Sequence, residues 1–392
     1  MRCGSGYSQD RTWSRRVQVN IVPGDAIQGK GYERMEIAVQ TRPERSAAAE
    51  KALQQKLGFG NVLADEMFMM QYTEGRGWHD AAIKPYAPIS LDPSAMVFHY
   101  GQEIFEGHKA YRWDDGRVAM FRPDQNAARL NRSAERMMMP SIPESFQVEV
   151  ATRLVQRLQD WVPTEEGASL YLRPTMIATE TGLGVRPSKE FLYFVICSPV
   201  GPYYPTGFKP VKVRAEDKHV RAVIGGTGAA KTGGNYAAGL YVQRQAFEAG
   251  YAGVLWLDGQ EHKYVEEIGA MNFMVVMDGK LVTAPLLGSI LPGITRASVL
   301  HMAPDMGVEA EERRISIDEV LEGIKSGRVT EAFGVGTAAV VTPIGTIAYK
   351  EEDYVITGDE VGPMALKIHK TLTDIQWGRQ RDPYGWMKIV IE

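Results

Sequence analysis

The chain has 392 residues, 44% of them hydrophobic and 23% charged, with a formal net charge of −4. That is ordinary globular composition, long enough to bury one large core or two, and too weakly charged to argue for nucleic acid or a membrane surface as partner. Cys3 and Cys197 are the only cysteines, so neither a disulfide framework nor a thiolate metal site is expected, a reducing cytoplasmic setting is, and no apolar run reaches the ~18 residues that span a bilayer.

The N-terminus carries Arg2, Arg11, Arg15 and Arg16 without an apolar stretch, which excludes a secretory signal, while Asp10, Asp25 and Glu33 dilute any transit-peptide character. Residues 1–57 lack periodicity until the Ala-rich stretch Ser46–Leu57, and are expected to form an arm outside the main fold. A smaller domain is expected over residues 58–197. In it, Tyr111–Trp113 and Val118–Phe121 flank Asp114-Asp115-Gly116, a hairpin signal, because glycine supplies the positive φ such turns need. Asp124–Met138 predicts a helix, and Phe146–Val162 a second, with Val150, Leu154, Leu158 and Trp161 on one face. Ser169–Thr179 and Phe191–Cys197 predict strands.

Pro199, Pro202, Pro205, Gly201 and Gly207 mark residues 198–207 as the interdomain linker, leaving 208–392 as a larger domain. There, a Gly-rich stretch Gly225–Gly234 precedes a helix from near Asn235 to before Gly250. Strands Gly253–Asp258 and Asn272–Met277 follow, the second turning at Asp278-Gly279. Ser316 and Glu319 fit a capping box for a helix that Gly327 would close. Met364, Ile368, Leu372 and Ile375 recur at helical spacing near Gly362–Trp377. Strands and helices mix in both halves, which predicts α/β or α+β domains.

The segment Gly225-Gly226-Thr227-Gly228-Ala229-Ala230-Lys231-Thr232 admits two readings. A phosphate-binding P-loop wants Gly directly before the Lys-Thr pair, where Ala230 stands. It also wants a buried strand upstream, where only Arg221-Ala222-Val223-Ile224 is found, and Gly233-Gly234 would weaken the helix that should follow. The alternative is a lysine among small residues that leave room for a flat ring, with burial and positive charge depressing its pKa so that the amine can attack an aldehyde. Composition alone would make it a surface lysine in a flexible loop.

Other segments decide between them. In order come Tyr100-Gly101-Gln102-Glu103-Ile104-Phe105-Glu106-Gly107-His108-Lys109-Ala110, Ser169-Leu170-Tyr171-Leu172-Arg173-Pro174-Thr175, Ser198-Pro199-Val200-Gly201-Pro202-Tyr203, Gly225–Tyr236, Glu267-Ile268-Gly269-Ala270-Met271-Asn272, Leu291-Pro292-Gly293-Ile294-Thr295-Arg296 and Gly336-Thr337-Ala338-Ala339. From about Phe59 to the C-terminus this series resembles the branched-chain amino acid aminotransferases, class IV enzymes that depend on pyridoxal 5′-phosphate (PLP). The resemblance implies the fold-type IV architecture: a smaller N-terminal α/β domain and a larger C-terminal pseudo-barrel α/β domain joined by an interdomain loop.

It also implies roles. Lys231 would hold PLP as a Schiff base and shuttle the proton at the substrate's α-carbon. Glu267 would pair with the ring nitrogen; Glu266 is the competitor, but strand neighbours point to opposite faces, so one of them reaches the ring. Arg129 and Arg221 would bind the phosphate, with Ile294 and Thr295 at a helix N-terminus and with Thr337. Tyr236 would bond the phenolic oxygen. Phe59, Tyr100, Phe105, Tyr171 and Tyr203 would line the substrate pocket, Arg173 would meet the glutamate side chain, and the amides of Ala338 and Ala339 would take the α-carboxylate. Leu183 and Val185 would reach a neighbouring subunit's site, implying a homodimer acting on leucine, isoleucine, valine, glutamate and 2-oxoglutarate.

The sequence departs from the family at three places. Ala339 and Thr342 stand where the animal enzymes carry a Cys-x-x-Cys pair, so no thiol switch of that kind is expected. Ala270 replaces a threonine of some relatives, and His108 an aliphatic residue, expected to be a packing change. Two rival readings share part of this evidence: a D-amino-acid aminotransferase or PLP lyase on the same fold, and the P-loop nucleotide binder.

Overall fold

The computed structural model describes residues 35–39, 46–201 and 207–392. Two nine-stranded sheets organise it. The first runs, in spatial order, Ala38–Val39, Gly77–Pro85, Glu66–Thr73, Glu190–Val200, Ser169–Ala178, His108–Arg112, Val118–Phe121 and Met387–Ile391, with Glu103–Phe105 also on Ser169–Ala178. Helices Pro123–Arg136 and Glu144–Arg157 pack on it through Leu130, Val150 and Leu154, all fully buried.

The second sheet closes on itself. Val211–Glu216 pairs Gly253–Leu257, which pairs Val265–Ile268, then Met271–Met277, Val329–Gly336, Val340–Tyr349, and back to Val211–Glu216. This six-strand barrel is the expected pseudo-barrel, and closure removes the sheet edges that open strands would expose. Helix Gly233–Glu248 leans on Gly253–Leu257 through Val242, Ala246 and Trp256.

Two prolines lie within strands of the first sheet at positions that tolerate a missing N–H. Pro174 sits in strand Ser169–Ala178 between the stretches paired by Glu103–Phe105 and by His108–Arg112, so its missing N–H deprives neither neighbour. Pro199 lies beyond Val195, where pairing with Glu66–Thr73 ends, so it occupies a local edge.

Three expectations on domain limits are corrected. Ala47–Leu53 forms a helix whose Ala49 and Ala52 join the first core, while the amide of Ser46 donates to Asp160 at 2.7 Å. The described part of residues 1–57 is therefore packed on the fold rather than outside it, because two small apolar faces suffice to dock a short helix. The C-terminal strand Met387–Ile391 pairs Val118–Phe121 and buries Val390 in the first core, so the larger unit returns its tail to the smaller one. Strand Glu190–Val200 runs through Ser198-Pro199, which shortens the linker; residues 202–206, with Tyr203, lie outside the described residues.

Candidate active site

A cavity of about 370 Å³ opens between the two units, within the roughly 300–1,000 Å³ of small-molecule sites. The first unit contributes Phe59, Phe105, Gly107, Arg129, Tyr171 and Arg173; the barrel contributes Lys231, Tyr236, Glu267, Ile294, Thr295, Thr337, Ala338 and Ala339 among others.

Lys231 ends the Gly-rich segment, and that segment is held from several sides. Asn235 Nδ2 donates to the carbonyls of Thr227 at 2.8 Å and Ala230 at 2.9 Å, the Lys231 amide donates to Ser133 Oγ at 2.9 Å, and the Phe105 amide donates to the Lys231 carbonyl at 2.9 Å. Gly228 packs against the backbone of Ser289, where a Cβ would overlap the Ser289 carbonyl. Helix Gly233–Glu248 starts immediately after, and the Glu103 carboxylate accepts from the Gly233 amide, satisfying an orphan donor and favouring the positive helix end. The Lys231 Nζ donates to the Tyr236 hydroxyl at 2.8 Å and lies 4.8 Å from the Phe105 ring centre. Burial, then the positive charge of Arg129, pushes its pKa down to about 8. Burial and the nearby Glu267 push the Tyr236 phenol up to about 12, so it is a neutral donor at physiological pH.

Glu267 lines the cavity; Glu266, its strand neighbour, does not, and bonds Ser289 Oγ on the other face. Glu267 Oε1 accepts from the Leu291 amide at 3.0 Å and from Asn272 Nδ2 at 3.2 Å, and Oε2 pairs with Arg221 Nε at 2.7 Å. Burial raises its pKa, against the opposing charge of Arg221.

Arg221 is thereby corrected as a phosphate ligand. Its guanidinium is held by Glu267 and by the Ser289 carbonyl at 2.6 Å, and it does not line the cavity.

Arg129 does line the cavity. Its Nε and Nη2 fork onto Glu106 at 2.7 and 2.9 Å, and Nη1 reaches the Pro292 carbonyl at 3.2 Å. Burial pushes Glu106 up, but Arg129 with Asn126 holds its carboxyl below the usual range. Beside this guanidinium starts helix Ile294–Met302, capped by Gly293, whose first N–H groups at Ile294 and Thr295 have no carbonyl within the helix.

The opposite wall is aromatic. Gly107 is the residue at which a Cβ would overlap the Tyr171 hydroxyl, so glycine there lets that ring enter. Tyr171 meets Phe59 edge-on, with ring centres 5.0 Å apart. Arg173 lies 4.8 Å over Phe105 and donates to the Tyr171 hydroxyl at 3.0 Å, and among the described residues its buried Nε has no hydrogen-bond partner. Tyr100 is corrected as a wall of this cavity: it is exposed, its hydroxyl donates to the Leu183 carbonyl, and it lies with the exposed Leu183 and Val185. His108 is buried and pushed down to about 4 by burial, a neutral ring packed beside Glu106.

Sequence reasoning gave no role to Glu106, Glu103, Asn235 or Asn272. Glu106 carried a signal, an acid within an apolar strand-like motif, whereas the last two show only as ordinary loop and strand amides.

The donor set suits PLP. One cavity holds an amine of depressed basicity for an aldehyde, a buried carboxylate for a basic ring nitrogen, a neutral phenol for a phenolic oxygen, and a guanidinium beside a helix N-terminus for a phosphate. Among the described residues, no His, Cys, Asp or Glu cluster could hold a metal ion, and no helix is long and apolar enough to cross a membrane.

Comparison with known proteins agrees with this chemistry. The model of the family described as amino-transferase class IV matches residues 103–347. The chain is 52% identical to branched-chain-amino-acid transaminase 1 of Bacillus subtilis, over 86% of this chain and 95% of that one. It is 48% identical to the branched-chain-amino-acid aminotransferase of Mycolicibacterium smegmatis, over 90% and 96%. Among solved structures, a T.th. branched-chain amino acid aminotransferase with pyridoxamine 5′-phosphate superposes with a TM-score of 0.69 at 26% identity, covering 86% of this chain and 99% of that chain. The Escherichia coli enzyme superposes with a TM-score of 0.69 at 25% identity, covering 82% and 99%.

Proposed function

This chain belongs to the class IV aminotransferase family, and from that premise we propose that it is a branched-chain-amino-acid transaminase, exchanging the amino group between leucine, isoleucine or valine and 2-oxoglutarate. The observation that carries the reading is the meeting of Lys231, Glu267 and Arg173 around one cavity with aromatic walls.

PLP is the family's cofactor, and when bound it supplies an aldehyde that takes the amino group and a ring that delocalises electrons from the α-carbon. The protein's part is binding, orientation and proton movement. Lys231 would take the proton from the substrate α-carbon as a neutral amine and deliver it, as an ammonium, to the carbon that carried the aldehyde, work that suits a pKa near neutrality. Glu267, paired with Arg221, would offer its carboxylate to the ring nitrogen. Tyr236 donates to the phenolic oxygen. Arg129, the first N–H groups of Ile294–Met302 and the hydroxyls of Thr295 and Thr337 hold the phosphate, while the amides of Ala338 and Ala339 hold the α-carboxylate.

Two substrates of opposite character must share one pocket. Phe59, Phe105 and Tyr171 give aliphatic chains an apolar wall, and Arg173 gives the glutamate carboxylate a cation already stacked between rings. Phe98, Leu183 and Val185 are exposed apolar residues around Tyr100, a patch that suits a homodimer interface bringing Tyr100, Leu183 and Val185 to the partner's cavity. Cytoplasmic residence fits a chain with one buried and one N-terminal cysteine.

The test is turnover of L-leucine with 2-oxoglutarate against D-alanine with the same acceptor. L-Leucine turnover at least about a hundredfold faster is expected; a preference for D-alanine would transfer the protein to the D-amino-acid branch of the fold.

A further inference from the structure

Ser289 is tied down from three directions, and each tie leads toward Lys231 or Glu267. It is 1% exposed, in the strap that connects strand Lys280–Thr283 to helix Ile294–Met302. Its hydroxyl donates to Glu266 Oε1, its carbonyl accepts from Arg221 Nη2 at 2.6 Å, and its backbone packs on Gly228. One residue earlier, the Gly288 carbonyl accepts from the Ala229 amide at 3.1 Å. Two residues later, the Leu291 amide donates to Glu267 at 3.0 Å. The strap thus joins the lysine segment to the carboxylate.

Upstream of Ser289 the strap has little packing of its own. Leu286 and Leu287 are exposed, and Gly288 sits at φ 104°, a conformation glycine enters and leaves freely. The side-chain anchor is Glu266. Glu266 and Glu267 leave one strand on opposite faces: Glu267 pairs with Arg221 Nε at 2.7 Å, and Glu266 takes Ser289, whose carbonyl leads back to Arg221. The four residues form a closed circuit, in which the Arg221 guanidinium is held at two points, a carboxylate and a carbonyl. A guanidinium held at two points has a fixed plane; held at one, it swivels and the paired carboxylate follows. Glu266 is itself buried, so breaking its bond to Ser289 leaves an acceptor that water does not freely replace.

We propose that Glu266 and Ser289 are positioning residues for the cofactor's ring nitrogen: their hydrogen bond holds the Arg221–Glu267 pair in the orientation at which the Glu267 carboxylate meets that nitrogen. The inference rests on the reading above that Glu267 serves the ring nitrogen. Its signature is a loss confined to that contact. Arg129, at the phosphate corner, is held by Glu106 and stands outside the circuit, so phosphate recognition survives when the circuit is cut.

The experiment loads cofactor-free wild type, Ser289→Ala, Glu266→Leu and Glu266→Gln with three aldehydes: PLP, its analogue with C–H in place of the ring nitrogen, and unphosphorylated pyridoxal. Circular dichroism verifies folding, and each Kd is read from the absorbance of the bound aldehyde. Wild type should prefer PLP to the C–H analogue. Ser289→Ala and Glu266→Leu should each shrink that preference by about fivefold or more, part of the factor that a hydrogen bond to a charged group contributes. Their preference for PLP over pyridoxal should stay within about twofold of wild type, since sites without shared partners act independently. Glu266→Gln, whose amide oxygen still accepts from Ser289, should keep most of the wild-type ratio. Unchanged ratios in Ser289→Ala and Glu266→Leu, equal weakening of all three aldehydes, or a Glu266→Gln as impaired as Glu266→Leu would each overturn the assignment. A wild type that does not distinguish PLP from the C–H analogue would strike at the reading of Glu267 instead. Denaturant midpoints would then decide the circuit: Ser289→Ala combined with Arg221→Met should shift the midpoint by less than the sum of the separate shifts, and strict additivity would dissolve the link.

Discussion

The Lys231 ammonium lies 2.8 Å from the Tyr236 hydroxyl, five residues further along the chain and one turn into the following helix. Because burial holds the amine near pKa 8 and the phenol near 12, the pair is an ammonium donating to a neutral phenol at neutral pH. Only the deprotonated amine attacks an aldehyde. Capture of PLP by cofactor-free protein should therefore speed up by roughly tenfold per pH unit below about 8 and level off above it. Stopped-flow absorbance between pH 6 and 9 checks this, and a flat profile would contradict it. Lys231→Ala should retain the fold and lose transamination by at least about a thousandfold.

Arg129 and Arg221 were indistinguishable as residue types, and the structure separates them. Arg129→Met should erode the preference for PLP over unphosphorylated pyridoxal by about tenfold or more, since a guanidinium–phosphate contact is lost. Arg221→Met should leave that preference alone. It should instead cost about 3 kcal/mol of stability, because the Glu267 carboxylate stays buried without its cation. Paired dissociation constants for the two cofactors, with denaturant titrations of each variant, test both halves. A changed phosphate preference in Arg221→Met would return that residue to the phosphate corner.

This contrast marks what the sequence could show. Local signals translated well. The helix read from Asp124 spans Pro123–Arg136, the strand read from Ser169 spans Ser169–Ala178, and Ser316 Oγ accepts from the Glu319 amide at 3.1 Å as a capping box requires. Even there the second half of the box is missing, because the Glu319 carboxylate is taken by Arg313 at 2.7 Å. Spacing within one element carries such information. It does not carry contacts between distant segments. The Arg221–Glu267 pair, the Glu266–Ser289 bond, the return of Met387–Ile391 to the first sheet and the docking of Ala47–Leu53 each join residues that no local period relates. Ordered motifs named the residues of the site, but each partner depended on packing.

Arg173 provides a test of substrate choice. Its guanidinium lies over Phe105 and Tyr171, and the residue lines the cavity. A cavity-lining guanidinium is matched by an acceptor on the ligand's side chain. Leucine has none to offer in its side chain, whereas glutamate has a carboxylate. Arg173→Met should raise KM for glutamate and 2-oxoglutarate by roughly thirtyfold, about 2 kcal/mol, while leucine changes by less than about threefold. Equal losses for both substrates would mean that Arg173 supports the pocket rather than reading the side chain.

The glycines around Lys231 give the last prediction, because they look alike in sequence and differ in surroundings. At Gly228 a Cβ would overlap the Ser289 carbonyl, which is backbone and cannot swing aside. Gly228→Ala must push the lysine segment away from 288–289, on whose far side Leu291 holds Glu267. Gly234 is exposed in the first turn of helix Gly233–Glu248, and a Cβ there meets nothing within 4 Å. Gly228→Ala should destabilise by about 1–3 kcal/mol and weaken PLP retention. Gly234→Ala should stabilise by about 0.5–1 kcal/mol, since alanine is the better helix former and restricts the unfolded chain. Thermal unfolding with and without PLP measures both. Equal behaviour of the two variants would show that the segment yields at Gly228, and that close packing against Ser289 does not fix Lys231.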